Sequence, residues 1–294
     1  MRNVTLPEDL RIYAPNEFEA RTLYQEIFAE KVYSSYGIRV ADGDCVFDVG
    51  ANIGLYSIFL ARAHRDLTIF AFEPIPQTFA ILEKNIESLT KGSRIKLFNI
   101  GLSKEPGSAR FELDRFLSFT ATMRAEEVDS CVRKDAGMRA WAEAGVYDFR
   151  KLGFLSPGFA RRLQSVLRRP LVGRLVAAVM FSLLCLAALR KKLFLQKIDC
   201  PLKTVSEVIR EHRLGAIDLI KIDVEGSEWD VIEGIAEEDW PKIKQFVVEA
   251  HDVDGRVEKM RSAFEARGYL TAVSQEDWGI HKLINAFTIY AARG

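Results

Sequence analysis

The chain has 294 residues, 48% of them hydrophobic, with 41 Lys or Arg against 41 Asp or Glu. That composition supports a sizeable buried core, excludes a disordered chain, and with zero net charge argues against a general nucleic-acid binder. Cys45, Cys131, Cys185 and Cys200 are scattered without metal-ligand or redox spacing, which fits reduced thiols in a cytoplasmic protein, and Glu8 and Asp9 soon after Met1 do not fit a signal peptide.

Residues 16–33 place Phe18, Leu23, Ile27 and Phe28 at helical spacing, so a helix is expected there. Strands and helices then alternate: strand Cys45–Val49, helix Leu55–Ala63, strand Thr68–Phe72, helix Pro76–Leu89 with proline in its first turn, and strand Ile95–Ile100. The alternation stops and resumes with helix Thr204–His212, strand Ile217–Ile222, helix Glu228–Ile235, strand Ile243–Glu249 and helix Gly255–Arg267. Tyr269–Val273 and Ala286–Ala291 are the last strands. The pattern predicts an α/β fold, a Rossmann-like doubly wound sheet of seven strands with a helical insertion. The expected divisions are 1–40 (N-terminal segment and helix), 41–114 (first half of the sheet), 115–200 (insertion) and 201–294 (second half).

In such a sheet ligands bind outside the carboxyl ends of the strands, beside the first strand-to-helix turn. That turn is Asp48-Val49-Gly50-Ala51-Asn52-Ile53-Gly54. Gly50 allows a sharp turn and close approach of a ligand, and Gly54 removes a side chain where helix meets strand. The third glycine of a dinucleotide fingerprint is absent, and an acid at the strand end repels a pyrophosphate. Asp48 suits a cationic amino group, directly or through water. Glu73, ending the second strand, can accept hydrogen bonds from both ribose hydroxyls, and Asn99, ending the third, can read an adenine edge. An amino-acid end, a ribose and an adenine in that order describe S-adenosylmethionine.

The motifs DGD (42–44), VFDVGANIGLYS (46–57), AFEP (71–74), NIGLS (99–103), IDLIKIDVEGSEWDVIEG (217–234) and VVEAH (247–251) make the chain resemble the FkbM-type methyltransferases. They leave only the central insertion uncovered. The resemblance implies methyl transfer from S-adenosylmethionine, usually to a hydroxyl oxygen of a sugar, polyketide or related metabolite. It carries over Asp48, Gly50, Asn52, Gly54, Glu73 and Asn99 as cofactor residues.

A hydroxyl is a poor nucleophile and needs a base or a metal. Asp223 and Glu225 follow one strand and Glu249 and His251 another, each pair two residues apart and so able to point the same way. His251 is the expected general base, because imidazole titrates near neutrality, with Glu249 or Asp223 orienting it. The rival is a divalent cation held by Asp223, Glu249 and His251, polarising the substrate hydroxyl. His64 and His212 fall near helix ends away from the chemistry; His281, in a late loop, could line the acceptor pocket. Two other classes stand beside the O-methyltransferase: a catalytically inactive cofactor-binding scaffold at a membrane surface, and a nicotinamide-dependent oxidoreductase, the latter disfavoured by the missing glycine.

The insertion differs in kind. Phe149–Ile198 contains eleven Lys or Arg and no acid. Phe159–Arg169 reads as a basic amphipathic helix, and Leu175–Leu189 as an uncharged run between Arg174 and Arg190-Lys191-Lys192. Fifteen residues fall short of the ~20 of a membrane span, and one span could not return the chain to its own sheet. The segment is expected to lie at an anionic membrane surface, cover an apolar acceptor as a lid, or contact another subunit of a homo-oligomer, with a small core helix as the plain alternative. The expected partners are a small-molecule or lipid-linked acceptor and no nucleic acid. The expected location is the cytoplasm, with the inner face of the membrane as its peripheral variant.

Overall fold

The computed structural model describes residues 1–90, 94–113, 135–180, 182, 196–224, 226–275 and 277–293. Cys131, Cys185, Glu225, Arg190, Lys191, Lys192 and the distal part of the uncharged run lie outside the described residues.

The chain opens on an antiparallel hairpin, β1 (Arg2–Thr5) and β2 (Arg11–Ala14). Helix α1 (Glu17–Tyr24) follows, capped by Asn16, whose Oδ1 accepts from the Glu19 amide at 2.9 Å. The helix expected over 16–33 changes character after Tyr24. Gln25–Ala29 form a π-helical turn, Lys31 turns left-handed at φ 51°, and Val32–Ser34 form a separate 3-10 turn.

The central sheet is built from β3 (Cys45–Val49), β4 (Thr68–Phe72), β5 (Arg94–Phe98), β9 (Leu219–Ile222), β10 (Gln245–His251), β11 (Leu270–Ser274) and β12 (Ala286–Ala292). Its order is β11-β12-β10-β9-β3-β4-β5. The five strands from β10 to β5 run parallel, and β12 lies antiparallel to both β10 and β11. β3, β4 and β9 are buried along nearly their whole length, which explains their continuous apolar runs. Helices α2 (Leu55–Ala63) and α3 (Pro76–Leu89) have the expected bounds. Other ends move by one or two residues; among them, β5 stops at Phe98, leaving Asn99 in the loop beyond it, and β10 continues through His251.

A second sheet, β6 (Gly101–Leu102), β7 (Gly107–Leu113) and β8 (Gln196–Lys203), has the order β6-β8-β7. β7 and β8 pair antiparallel from Gly107↔Leu202 to Leu113↔Gln196. The insertion therefore leaves and returns at one point, and its far boundary lies before Gln196 rather than at 200. Helices α4 (Asp135–Lys151), α5 (Pro157–Leu167) and α6 (residues 170–180) enclose a small core of Ala142, Val146, Ala160, Leu167 and Ala177. Past β8, α7 (Val205–Glu211) starts on a capping box between Thr204 and Glu207, and α8 (Glu228–Glu233), α9 (Arg256–Glu265) and α10 (Gly279–Leu283) complete the chain. His281 stands in α10 rather than in a loop.

Candidate active site at the carboxyl ends of the strands

The turn after β3 is held by two amides, those of Gly50 and Ala51, which donate to the Phe72 carbonyl at 3.0 and 2.9 Å. Gly50 has φ +75°, and a Cβ there would stand 1.8 Å from the Asp223 carbonyl oxygen. A close approach that demands glycine here is to the backbone leaving β9. It brings the first turn against the loop that carries Asp223. At Gly54, φ +88°, a Cβ would meet Leu82 Cδ1 of α3 at 2.6 Å, so this glycine seats helix on helix. Asn52, between them, is left-handed at φ 49°.

Asp48 is fully buried. Its Oδ2 accepts from the Ser57 hydroxyl at 2.7 Å, and its Oδ1 lies 3.2 Å from the Lys221 ammonium. Within the chain, the cation that Asp48 meets is Lys221. Lys221 is itself buried, donates to the Gly50 carbonyl at 2.8 Å and stands 3.4 Å from Asp223 Oδ2. Burial alone would lower its pKa, but Asp48 and Asp223 outweigh that and raise it.

Glu73 is buried at the end of β4. Its Oε2 accepts from the Asn52 amide at 3.1 Å and its Oε1 from the Ile75 amide, at the start of α3, at 2.9 Å. Burial pushes its carboxyl up to about 7, against the pull of those two N–H groups. One carboxylate therefore ties the first turn to the second, and each oxygen keeps a lone pair for another donor. Asn99 donates its amide to the carbonyls of Glu73 and Pro74 at 2.8 and 3.0 Å. It clamps the Glu73 loop. Among the described residues, Asn52 Oδ1 and Tyr56 Oη, buried at this turn, find no hydrogen-bond partner. Leu23, Ile27 and Tyr33 close over Asn52, Tyr56 and Asp223 around a cavity of about 10 Å³, so the N-terminal helix forms part of the site.

On the neighbouring strand ends, Tyr33 Oη lies 3.2 Å from Asp223 Oδ2 and 3.1 Å from Glu249 Oε2. Burial, then Asp223 and Glu249, raise this phenol well above its ordinary range, so it stays protonated and donates. Glu249 and His251 lie two apart on β10 and share a face. His281 is close enough to His251 to feel its charge, and its Nε2 lies 3.7 Å from Glu26 Oε1. Burial first, and then His251, lower His281 to about 4, so it is neutral at physiological pH. Among the described residues, no group of three His, Cys, Asp or Glu is arranged to hold a metal.

The structure thus gathers Asp48, Gly50, Asn52, Glu73 and Asp223 around one turn, with Glu249 tied to Asp223 through Tyr33. Sequence reasoning missed Lys221 and Tyr33. A lone lysine inside the apolar run Leu219–Ile222 was a signal for the first, since a buried ammonium needs a partner. Tyr33 carried no local signal; its role depends on a turn that brings it 190 residues along the chain to Asp223.

A sheet of this order, with buried acids closing its first two strands, is that of a Rossmann-like methyltransferase. The family described as "Methyltransferase FkbM domain" matches residues 190–271. The 31-O-demethyl-FK506 methyltransferase FkbM of Streptomyces tacrolimicus is 31% identical over 278 residues, 94% of this chain and 92% of that protein. The methyltransferase sdnD of Sordaria araneosa is 27% identical, over 92% of this chain and 89% of its own. The solved methyltransferase FkbM from Methylobacillus flagellatus KT aligns with a TM-score of 0.48 at 13% identity, over 94% of this chain and 55% of that one. The chain belongs to the FkbM family of methyltransferases.

Proposed function

We propose that the protein transfers a methyl group from S-adenosylmethionine to a hydroxyl oxygen of a small molecule such as a glycolipid or polyketide, with His251 as general base. The observation that carries the cofactor is the pair of orphaned buried atoms at the first turn, Asn52 Oδ1 and Tyr56 Oη, beside a Glu73 with lone pairs to offer. These residues fit a ligand rich in hydroxyl and amino donors, and Glu73 would hold the ribose. Asn99 Oδ1 would face the adenine amino group. Asp48, whose charge Lys221 already balances, would act on the amino-acid end through that pair. The cofactor supplies, when bound, a methyl group already activated for displacement.

The protein's part is to position the acceptor and take its proton. His251 ends β10 on the face it shares with Glu249, at the same end of the sheet as the first turn. His281 beside it is neutral, so that ring adds no positive charge against a protonated His251. Glu249 and Asp223 lie on the same sheet end to stabilise the imidazolium that results. The name of the Streptomyces relative denotes transfer to an oxygen in that protein, which supports the same chemistry here. The test is His251→Ala, assayed for methyl transfer to candidate hydroxyl acceptors and, by calorimetry, for S-adenosylhomocysteine binding. Lost turnover with binding intact is expected; full turnover would remove His251 from the role.

A further inference from the structure

The insertion carries a face that the methyl-transfer chemistry does not use. Helix α6 turns Gly173 and Ala177 inward: Ala177 is 2% exposed in the insertion's core, and a Cβ on Gly173 would lie 2.1 Å from the Leu167 carbonyl. This helix therefore rests directly on the end of α5 and cannot roll over. Its opposite face presents Leu171 at 81%, Leu175 at 68% and Val179 at 54% exposure, spaced four apart, with Val172 beside them at 47%. Residues at that spacing form one continuous stripe. A single exposed leucine is ordinary, but a row of four large aliphatic side chains on a fixed helix face marks a contact surface.

The charge around the stripe says what it contacts. Arg174 lies within it, and Arg168 and Arg169 sit exposed at its amino-terminal end. Arg161 and Arg162 are exposed on α5. Residues 149–180 hold seven Lys or Arg and no Asp or Glu. A second copy of the chain laid on this stripe would bring two such arginine sets together with no local acid between them. An anionic bilayer offers the opposite: an apolar boundary for the aliphatic row and phosphates for the arginines. Among the described residues no helix is long and apolar enough to cross a membrane.

We propose that α5 and α6 form a docking surface for an anionic lipid bilayer, with Leu171, Val172, Leu175 and Val179 in the interface and Arg161, Arg162, Arg168, Arg169 and Arg174 on the headgroup phosphates. The surface stands independently of the reading given for the catalytic site.

The experiment sediments the full chain with vesicles of phosphatidylcholine alone and of equimolar phosphatidylcholine and phosphatidylglycerol, across a salt series. Binding to the anionic vesicles alone, weakening as salt screens the arginines, is expected. Arg168→Glu with Arg169→Glu should reduce partitioning by more than about fivefold for each arginine lost, and Leu171→Ser with Leu175→Ser should abolish it. S-adenosylhomocysteine binding checks that these variants fold; the salt series on the unmodified chain decides the matter if they do not. Absence of wild-type binding to anionic vesicles, equal binding to both vesicle types, or a stripe variant that binds as well as wild type would overturn the proposal. So would a dimer, seen in gel filtration, that Leu171→Ser with Leu175→Ser converts to monomer while vesicle binding persists.

Discussion

Lys221 and Asp48 are register partners on adjacent parallel strands, their charged atoms 3.2 Å apart with side-chain exposures of 4% and 0%. A pair this deep is held by its mutual charge, and removing one member leaves the other uncompensated in the sheet. Lys221→Met should destabilise the fold by roughly 3–5 kcal/mol in urea unfolding. Adding Asp48→Asn to that variant should restore part of the loss. Because the ammonium's pKa is raised in the fold, the pair's contribution is complete below the ordinary lysine pKa and is lost as pH rises through the folded value.

Glu73 gives a pH signature of opposite origin. Its folded pKa, pushed up to about 7 by burial, exceeds that of an unfolded glutamate, so the folded state binds the extra proton between those values. Stability from this group is therefore greatest in acid and falls as pH rises to about 7, by roughly 3 kcal/mol in all. Glu73→Gln should remove that slope, and the difference in Tm between variant and wild type should grow from pH 5 to pH 7.5. If ribose hydroxyls bind this carboxylate, they favour its ionised form, so S-adenosylhomocysteine binding near pH 6.5 should release protons. Calorimetry in buffers of different ionisation enthalpy measures that release, and Glu73→Gln should lose it.

Tyr33 has one hydroxyl hydrogen and two carboxylate neighbours, Asp223 at 3.2 Å and Glu249 at 3.1 Å. It can donate to only one at a time, and so stands between two acids of which Asp223 also meets Lys221 at 3.4 Å. Tyr33→Phe should lower turnover about tenfold, the scale of a lost hydrogen bond to a charged group, with little change in cofactor affinity. Steady-state kinetics alongside calorimetry would separate the two effects.

Much of this was readable from the chain before its fold. β3, α2, β4 and α3 have the bounds their periodicity predicts, because each is a strong apolar pattern bounded by glycine, proline or charge. The β7–β8 pairing was not, since Gln196–Lys203 contains Pro201 and two lysines and gains its strand character from Gly107–Leu113, across the insertion. The acids at 48, 73, 223 and 249 were legible as candidates because each stands near or just beyond the carboxyl end of an apolar strand pattern. What they touch was not: Lys221 and Tyr33 enter through pairing between distant segments, which no local window contains.

Gly50 and Gly54 separate two reasons for glycine in one motif. At Gly50 an alanine methyl would overlap the Asp223 carbonyl, rigid backbone on the neighbouring strand end. Gly50→Ala should therefore prevent accumulation of folded protein or shift Tm downward by more than ten degrees, a loss of several kcal/mol. At Gly54 the obstacle is the tip of Leu82, which can rotate, so Gly54→Ala should fold with a loss of about 1–3 kcal/mol, mostly from its left-handed backbone. Comparable losses at both would mean that φ alone, rather than contact with β9, fixes the turn.

The insertion packs against α10, the helix that carries His281. Asp148 on α4 is 2% exposed and accepts from the Gly279 amide at 2.7 Å, at the start of the helix that carries His281. Gly279 packs so closely on Ala144 that a Cβ would lie 2.7 Å from its Cα, and Lys151 on the same helix pairs with Glu30 at 2.7 Å. These contacts fix His281 in the buried place where its pKa falls to about 4. A histidine depressed this way stabilises the fold above its ordinary pKa, and that stability is lost as pH falls from about 6.5 through 4. Asp148→Ala should loosen the helix, let water reach the ring and raise the His281 pKa toward 6.5, as read from its imidazole proton shifts in NMR. Asp148→Asn, which keeps an acceptor for the Gly279 amide, should leave the His281 titration close to wild type. An unchanged His281 in Asp148→Ala would mean that the sheet, rather than the insertion, holds this histidine in place.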